Sequence, residues 1–331
     1  MWATRRSLLG ICLASGFGFA PEAALADETP QAAVPVKVLP LGRPAYRASY
    51  EYSSLAWHGD TLLLMPEDPD FLYALPRAAV AEAIAAESPA PLEPEELPIE
   101  NPEVFRAVHC YDGLEALAVE GERVWFAVEA RCFCAMQAWV VAGRIEPEPR
   151  RIVLDPGSLT EIPLTHQACY FSVESALIHH DRLLLLEESN GANLVPAAHA
   201  AVLPLTGGAP GALPMPSIEY RVTDATAPDP SNRFWVTNYL WPQEYGVLDP
   251  AVDAFQSGAT EPIAPGEPVE RLLELEIQDD RIVSSGAAPI VLEPLPGEPR
   301  NWEGLVRWND DGFLLITDAY PETILGYVAR P

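Results

Sequence analysis

The sequence predicts an all-β fold, a β-propeller of five blades. Three observations carry that expectation. Five stretches share one layout: an apolar run, a polar turn, a second apolar run, then an acid or amide. Their turns carry Gly, Asp, Asn and Ser, the chemistry of tight hairpins. Several second arms, such as residues 62–65 and 183–186, are continuous apolar runs, which suits strands buried on both faces.

The stretches run from Ser53 to Glu67, Glu115 to Glu129, Glu174 to Glu188, Asp224 to Asn238 and Glu303 to Asp318. Their starts lie roughly 50–80 residues apart, a period expected of propeller blades. Further apolar runs extend them: residues 138–145 and 151–154 in the second unit, 269–277 and 281–284 in the fourth. The last unit shows three strands, at 301–308, 312–317 and 323–328. Residues 34–39 are expected to supply its fourth strand and close the ring, which removes an exposed sheet edge. The long interval before Glu303 leaves six blades as the alternative. Residues 76–87, rich in Ala and Glu, predict a short surface helix that opens on a proline. The Pro-rich stretches 89–102 and 258–268 are read as connectors. One propeller domain over residues 27–331 is the expected organisation.

Residues 1–26 have the order of a twin-arginine-type signal peptide: Arg5-Arg6, an apolar stretch at 11–20, then Ala24-Leu25-Ala26. A periplasmic or secreted location is expected. No later run approaches the ~20 apolar residues that span a bilayer, so no membrane association is expected once the signal is removed. The 331 residues hold 20 Lys and Arg against 48 Asp and Glu, a formal net charge of −28. That balance argues against a nucleic-acid partner, which needs a basic footprint. At 49% hydrophobic residues the chain is too apolar to be disordered. A monomer is expected.

The carboxylates are the chemical signal. In a propeller the first residue of each innermost strand and the last residue of the next lie at one end of the central channel. The ten such positions are Ser53/Glu67, Glu115/Glu129, Glu174/Glu188, Asp224/Asn238 and Glu303/Asp318, and they are expected to face each other as cross-strand pairs. Eight are carboxylates. Like charges directly opposite one another destabilise a sheet, and a narrow channel raises the penalty. Three remedies exist: a bound cation, shared protons at raised pKa, or arginine partners. Calcium suits a ring of oxygens outside the cytoplasm, so Ca2+ held by Glu67, Glu129, Glu188, Asp318 and Asn238 is the first expectation, with Glu115, Glu174 and Glu303 as the catalytic carboxylates. Without catalysis, the same acids would cap strand ends against arginines and loop amides.

Cys110, Cys132, Cys134 and Cys169 all fall in loops at this acidic mouth. Four cysteines in an exported chain suggest two disulfides. Cys132 and Cys134 are expected to reach Cys110 and Cys169, with the pairing open. A thiolate metal site beside His109 or His166 is the rival. Tyr111, Phe133, Tyr170, Tyr239, Trp241, Trp302 and Tyr320 are candidate walls for a substrate, whereas Trp57, Trp125 and Trp235 read as core. No Gly-x-Ser-x-Gly elbow or Gly-rich phosphate loop occurs.

The segments Gly113-Leu114-Glu115-Ala116-Leu117-Ala118 and Asn301-Trp302-Glu303-Gly304-Leu305, each followed by an apolar arm ending in Glu129 or Asp318, resemble the Glu-Gly-Leu blades of the phytase-like ("esterase-like activity of phytase") propeller family. Ser54-Leu55-Ala56-Trp57 resembles that family's first blade. The resemblance implies an exported, calcium-dependent phosphoester or ester hydrolase, with Glu115, Glu303 and Asp318 as the residues carried over. Two alternatives stand beside it. One is a non-catalytic extracytoplasmic binding or scaffold propeller. The other is a glycoside hydrolase that uses two mouth carboxylates and stacks sugar on aromatic rings.

Overall fold

The computed structural model describes residues 32–331 apart from 44, 47–50, 68–69 and 320–321. The expected signal segment therefore lies outside the described residues, as does Tyr320. The protein is a β-propeller. Among the described residues the strands form four hydrogen-bonded sheets, the largest of which joins two hairpin units edge to edge, so that five groups are each built outward from an antiparallel hairpin.

The described chain opens with β1 (Val36–Leu39), which belongs to the last group. The first group is β2 (Tyr52–His58), β3 (Thr61–Pro66), β4 (Phe71–Pro76) and β5 (Glu95–Glu100). The second is β6 (Tyr111–Glu120), β7 (Arg123–Cys132), β8 (Ala135–Pro147) and β9 (Arg150–Leu154), with β10 (Thr160–Ile162) also on β8. The third is β11 (Val173–His179), β12 (Arg182–Glu187), β14 (His199–Pro204) and β15 (Gly211–Pro214). A two-residue strand, β13 (Ser189–Asn190), leaves it to join the fourth group. That group holds β16 (Ile218–Arg221), β17 (Arg233–Leu240), β18 (Val269–Ile277), β19 (Ile282–Ser284) and β20 (Ile290–Val291). The fifth is β21 (Trp302–Trp308), β22 (Gly312–Thr317) and β23 (Leu325–Ala329), completed by β1. The first and last parts of the described chain thus share one sheet, as the N-terminal apolar run foretold.

The hairpin turns follow their residues. Gly59, Gly121, His180, Asn232 and Asn309 all have φ between 51° and 62°, the left-handed conformation that a tight two-strand turn requires. Gly or Asn fills four of these positions at little steric cost. His180 occupies the third turn, where only Asp181 and the two flanking strands signal a hairpin.

Between neighbouring groups lie five apolar layers. One joins Leu63 and Leu72 to Leu117 and Phe126, and a second joins Ala127 and Val140 to Leu183 and Leu185. A third joins Leu184 and Leu186 to Phe234 and Leu273, and a fourth joins Trp235 and Leu272 to Phe313 and Leu315. The fifth returns from Leu314 and Ile316 to Leu62 and Leu64 and closes the circle. The continuous apolar arms are explained by this geometry, since each middle strand packs against a neighbour on both faces.

Two expectations need correction. The stretch 89–102 is not only a connector. Its Leu97 and Ile99 alternate inward as β5, which pairs with β4 and runs parallel to β9. Pro98 breaks a strand pattern in sequence, but the Ile99 amide turns to the Asp70 carbonyl and β9 pairs only with Ile99 and Glu100, so the amide that Pro98 lacks costs no ladder bond. The expected helix is α1 (Arg77–Ala85), and Pro76 stands just before its first turn with extended backbone, not inside it.

Candidate active site

The expected cross-strand pairing of the acids is replaced by something more specific. In four groups the innermost strand carries at least one extra residue. Tyr52 and Ser54 oppose Pro66 and Met65, leaving Ser53 unpaired. In the same way Glu174 and Glu303 are the unpaired residues of β11 and β21, while β6 carries two, Glu115 and Asp112. A bulge of this kind bends the strand and re-aims the extra side chain. The closing residues instead sit two or so places off: Glu129 opposes Gly113, while the amides of Glu67, Glu188 and Asp318 bond Glu51, Ser172 and Asn301. The bulges sit at the chain-entry end of these strands and turn three glutamates inward at one end of the ring.

There Glu115, Glu129, Glu174, Glu188 and Glu303 are buried, Glu188 completely. An arginine stands among them. Arg221, at the end of β16, bonds Glu188 through Nε and lies 3.8 Å from Glu174, 3.5 Å from Glu303 and 3.4 Å from Glu244. Its guanidinium lies 4.8 Å from the Tyr239 ring centroid. Tyr220 immediately before it has φ 72°, an unusual backbone for a bulky residue that breaks the strand at this point. The surrounding carboxylates and Tyr239 hold Arg221 far above the ordinary range against the pull of burial.

Shared protons supply the second remedy. Burial pushes Glu303 up to about 7, opposed by Arg221 and by hydrogen bonds from Tyr239 and Glu174. Tyr239 donates to Glu303 Oε1 at 2.8 Å. Glu174 is raised well above its ordinary value, first by burial and then by Glu303, and the bond they share raises Glu174 while lowering Glu303. Burial and the neighbouring Asp112 likewise push Glu129 up to about 7, against Arg131 and Arg221. Arg131 pairs with Asp112 at 2.6 Å. Glu115 is raised by burial and by Glu67, Glu174, Glu129 and Glu303, with no cation among its causes. Asp318 is raised by burial and accepts from Asn301 Nδ2 at 3.0 Å and from the Ala319 amide.

The expected calcium set does not converge. Asn238 is spent on structure: its Nδ2 donates to the carbonyls of Glu219 and Arg221, both at 2.9 Å, and its Oδ1 accepts from Arg271 at 2.7 Å. Its work is to hold the strand that presents Arg221. Among the described residues no three carboxylates bring oxygens within 4.8 Å of one another. The guanidinium of Arg221 occupies the place between Glu174, Glu188 and Glu303 that a cation would need. The residues present do not fit the ion.

Asp224, expected at the mouth, lies deeper on the axis. Its carboxyl accepts from the amides of Leu55, Leu305 and Ala225 and from Ser54 Oγ, and Ser54 in turn accepts from the Leu117 amide. Four strand groups are tied here, and the bonds offset a burial that raises Asp224 well above its ordinary value. Beyond this plug the channel opens into a cavity of about 290 Å³ lined by Ala56, Leu117, Ala176, Ala225 and Val306. The acid cluster lies outside that cavity.

Cys110 bonds Cys132 and Cys134 bonds Cys169, so two disulfides clasp the mouth loops of the second and third groups. The rival thiolate site falls, because His109, Cys110 and Cys132 do cluster but both sulfurs are consumed in the bridge. Between the bridges Phe133 is 98% exposed and Tyr170 63% exposed, with the Arg131 guanidinium 4.6 Å from the Tyr170 ring centroid. Tyr111 donates to the Glu67 carbonyl, and Trp302 is buried with its indole on Glu270. Sequence reasoning missed Arg221, Asp112 and Arg131. His166, expected only as a neighbour of a thiolate metal site, instead sets Nε2 3.0 Å from Ser189 Oγ and Nδ1 3.3 Å from Glu187. Ser189 is wholly buried, so this trio ties the mouth loop to β12 and β13.

No family model matches the chain, and no curated protein matches it. Solved structures do. A GH43_1 enzyme from Xanthomonas citri complexed with xylotriose is 12% identical, with 88% of this chain and 90% of that one covered at a TM-score of 0.47. A putative oxidoreductase (glucose dehydrogenase) from Thermus thermophilus is 13% identical over 89% of this chain and 100% of that one, TM-score 0.46. A glycosyl hydrolase from Bacteroides ovatus is 8% identical over 87% and 86%, TM-score 0.44. At these values the likenesses assign neither family nor activity. Among the described residues no helix is long and apolar enough to cross a membrane.

Proposed function

We propose that this propeller is a metal-independent hydrolase of neutral substrates, glycosides first, working by proton transfer among its own carboxyls. The reading is carried by Glu129 and Glu303, both buried in one cluster around Arg221 and both pushed up to about 7, with Glu303 accepting from Tyr239. A group poised near neutral pH suits either direction of proton transfer. Glu129 gives its proton to the leaving oxygen as the glycosidic bond breaks. Glu303 takes a proton from the attacking water. Tyr239, Arg221 and Glu174 already donate or lean toward Glu303, which blunts its direct attack on carbon and makes water the nucleophile. The expected stereochemical outcome is inversion.

A phosphoester substrate, implied by the phytase-like resemblance, is disfavoured. The chain carries −28 overall, and its mouth sets the Arg221 guanidinium among many carboxyls, so a polyanion meets repulsion with no metal to bridge it. Phe133 and Tyr170 are exposed rings beside disulfide-bonded cysteines, on which a sugar can stack. The two disulfides favour work in an oxidising compartment, in keeping with export. The scaffold reading keeps one observation in its favour: every glutamate of the cluster is less than a tenth exposed.

Hydrolysis of a panel of neutral aryl glycosides, in the presence of EDTA, separates these. The hydrolase reading expects turnover of at least one, lost by about a hundredfold or more in Glu129→Gln and Glu303→Gln with the thermal midpoint kept or raised. Turnover that needs added calcium, or is absent throughout, contradicts it.

A further inference from the structure

His109, Cys110 and Cys132 lie together at the mouth of the second strand group, with one imidazole nitrogen and the two sulfurs all within 4.8 Å of one another. The disulfide is not what brings them together. The Arg131 amide donates to the Cys110 carbonyl at 2.8 Å, Tyr111 opposes Ala130 on β7, and Cys132 opposes Ala135 on β8. The β6–β7 ladder itself therefore holds the two cysteine Cα atoms near the 5.4 Å at which they stand. His109 is exposed and both cysteines are half-buried, so an ion reaches all three from solvent. Two thiolates and an imidazole suit a soft or borderline cation, and they leave a fourth tetrahedral position to water. Zinc holds such ligand atoms about 3.5–4 Å apart, so the sulfurs fit it only while the S–S bond is open. The order of folding and oxidation supplies that state. Twin-arginine export, expected from Arg5-Arg6 and the apolar stretch after them, carries folded chains. The propeller then forms first in a reducing compartment, with its thiols free.

We infer that the reduced, folded chain binds one zinc ion through His109, Cys110 and Cys132, and that forming the Cys110–Cys132 bond expels it. Binding releases the two thiol protons. On oxidation the two sulfurs give two electrons to a disulfide oxidant, which takes up two protons and becomes a dithiol. The S–S bond forms, and the zinc leaves with water in place of the sulfurs. Until then the ion holds the two partners of one bridge together. It keeps Cys132 from Cys169, the partner of its near neighbour Cys134. The site uses no glutamate of the acid cluster and does not rest on the hydrolase reading.

The test uses the full chain, reduced with a phosphine that is itself oxidised to the phosphine oxide. Zinc is titrated in against a colorimetric chelator, and the thiols are then alkylated and located by peptide mass spectrometry. The expected result is one zinc per reduced chain, at an affinity the oxidised chain does not reach. Cys110 and Cys132 should be protected from alkylation about tenfold or more, while Cys134 and Cys169 react as before. His109→Gln should weaken binding about tenfold or more. Oxidised glutathione should release the zinc as the thiols disappear. Equal binding by the oxidised chain, protection of Cys134 and Cys169 instead, loss of the native circular dichroism on reduction, or no binding at all overturns the inference. Protection is read in the unaltered chain, so a variant that fails to fold leaves the test intact.

Discussion

Raising the pH from 5 to 8.5 should weaken this fold, and two carboxyls set the least size of the effect. Glu129 and Glu303 lie near 7 in the folded chain against an ordinary 4.5. Between those values the folded state binds more protons than the unfolded state, so stability falls as pH rises. The contribution is whole below about 4.5 and is lost as pH passes through 7. Each group is worth about 3 kcal/mol over that interval. Urea unfolding followed by tryptophan fluorescence at pH 5, 7 and 8.5 measures it. Glu129→Gln supplies the control, because an amide imitates the protonated acid. That variant should match the wild type at pH 5 and exceed it by about 3 kcal/mol at pH 8.5. Stability that is flat or rising across this range, or a Gln variant equally weakened at both ends, would refute the reasoning.

Three further outcomes follow from the same contacts. Arg221→Gln removes the cation that lowers Glu303 and Glu129, so the rise of glycosidase turnover with pH should move to higher pH, read from kcat/KM profiles; an unmoved limb contradicts the role. Asp224→Ala strands three strand amides at the axis and should cost about 3 kcal/mol or more in chemical unfolding, and a loss below about 1 kcal/mol would mean water replaces the carboxyl. Gly304→Ala places a methyl against Ile316 and 2.9 Å from Leu55 Cγ, so it should cost about 1–3 kcal/mol in the same assay with little change near the mouth.

Gly304 also shows why the Glu-Gly-Leu motif was readable as structure. The glycine lets β21 approach β2 closely, while the glutamate before it is the bulged residue. The hairpins were legible because Gly59, Gly121 and Asn232 write their turns locally and the apolar arms declare two-sided burial. The acid positions were legible because they recur at one place in that layout. What stayed hidden depends on registry between distant segments. A single-residue bulge at Glu115 leaves no trace in the alternation of a strand buried on both faces. Arg221 follows a left-handed Tyr220 in the weakest of the five units, and nothing within the unit tells that it turns toward Glu174 and Glu303. Asn238 looked like a free amide because its partner Arg271 comes 33 residues later. β5 was concealed by Pro98, which is accepted because the β9 ladder begins only at Ile99.

The most direct measurement is the titration of the glutamate side-chain carboxyls by carbon-13 NMR in metal-free buffer, assigned with Glu129→Gln and Glu303→Gln. A proton-sharing cluster around Arg221 predicts that the two signals lost in those variants have midpoints near 7 in the wild type and do not move on adding calcium. Midpoints near 4.5 for both, or large calcium-dependent shifts, would contradict the account.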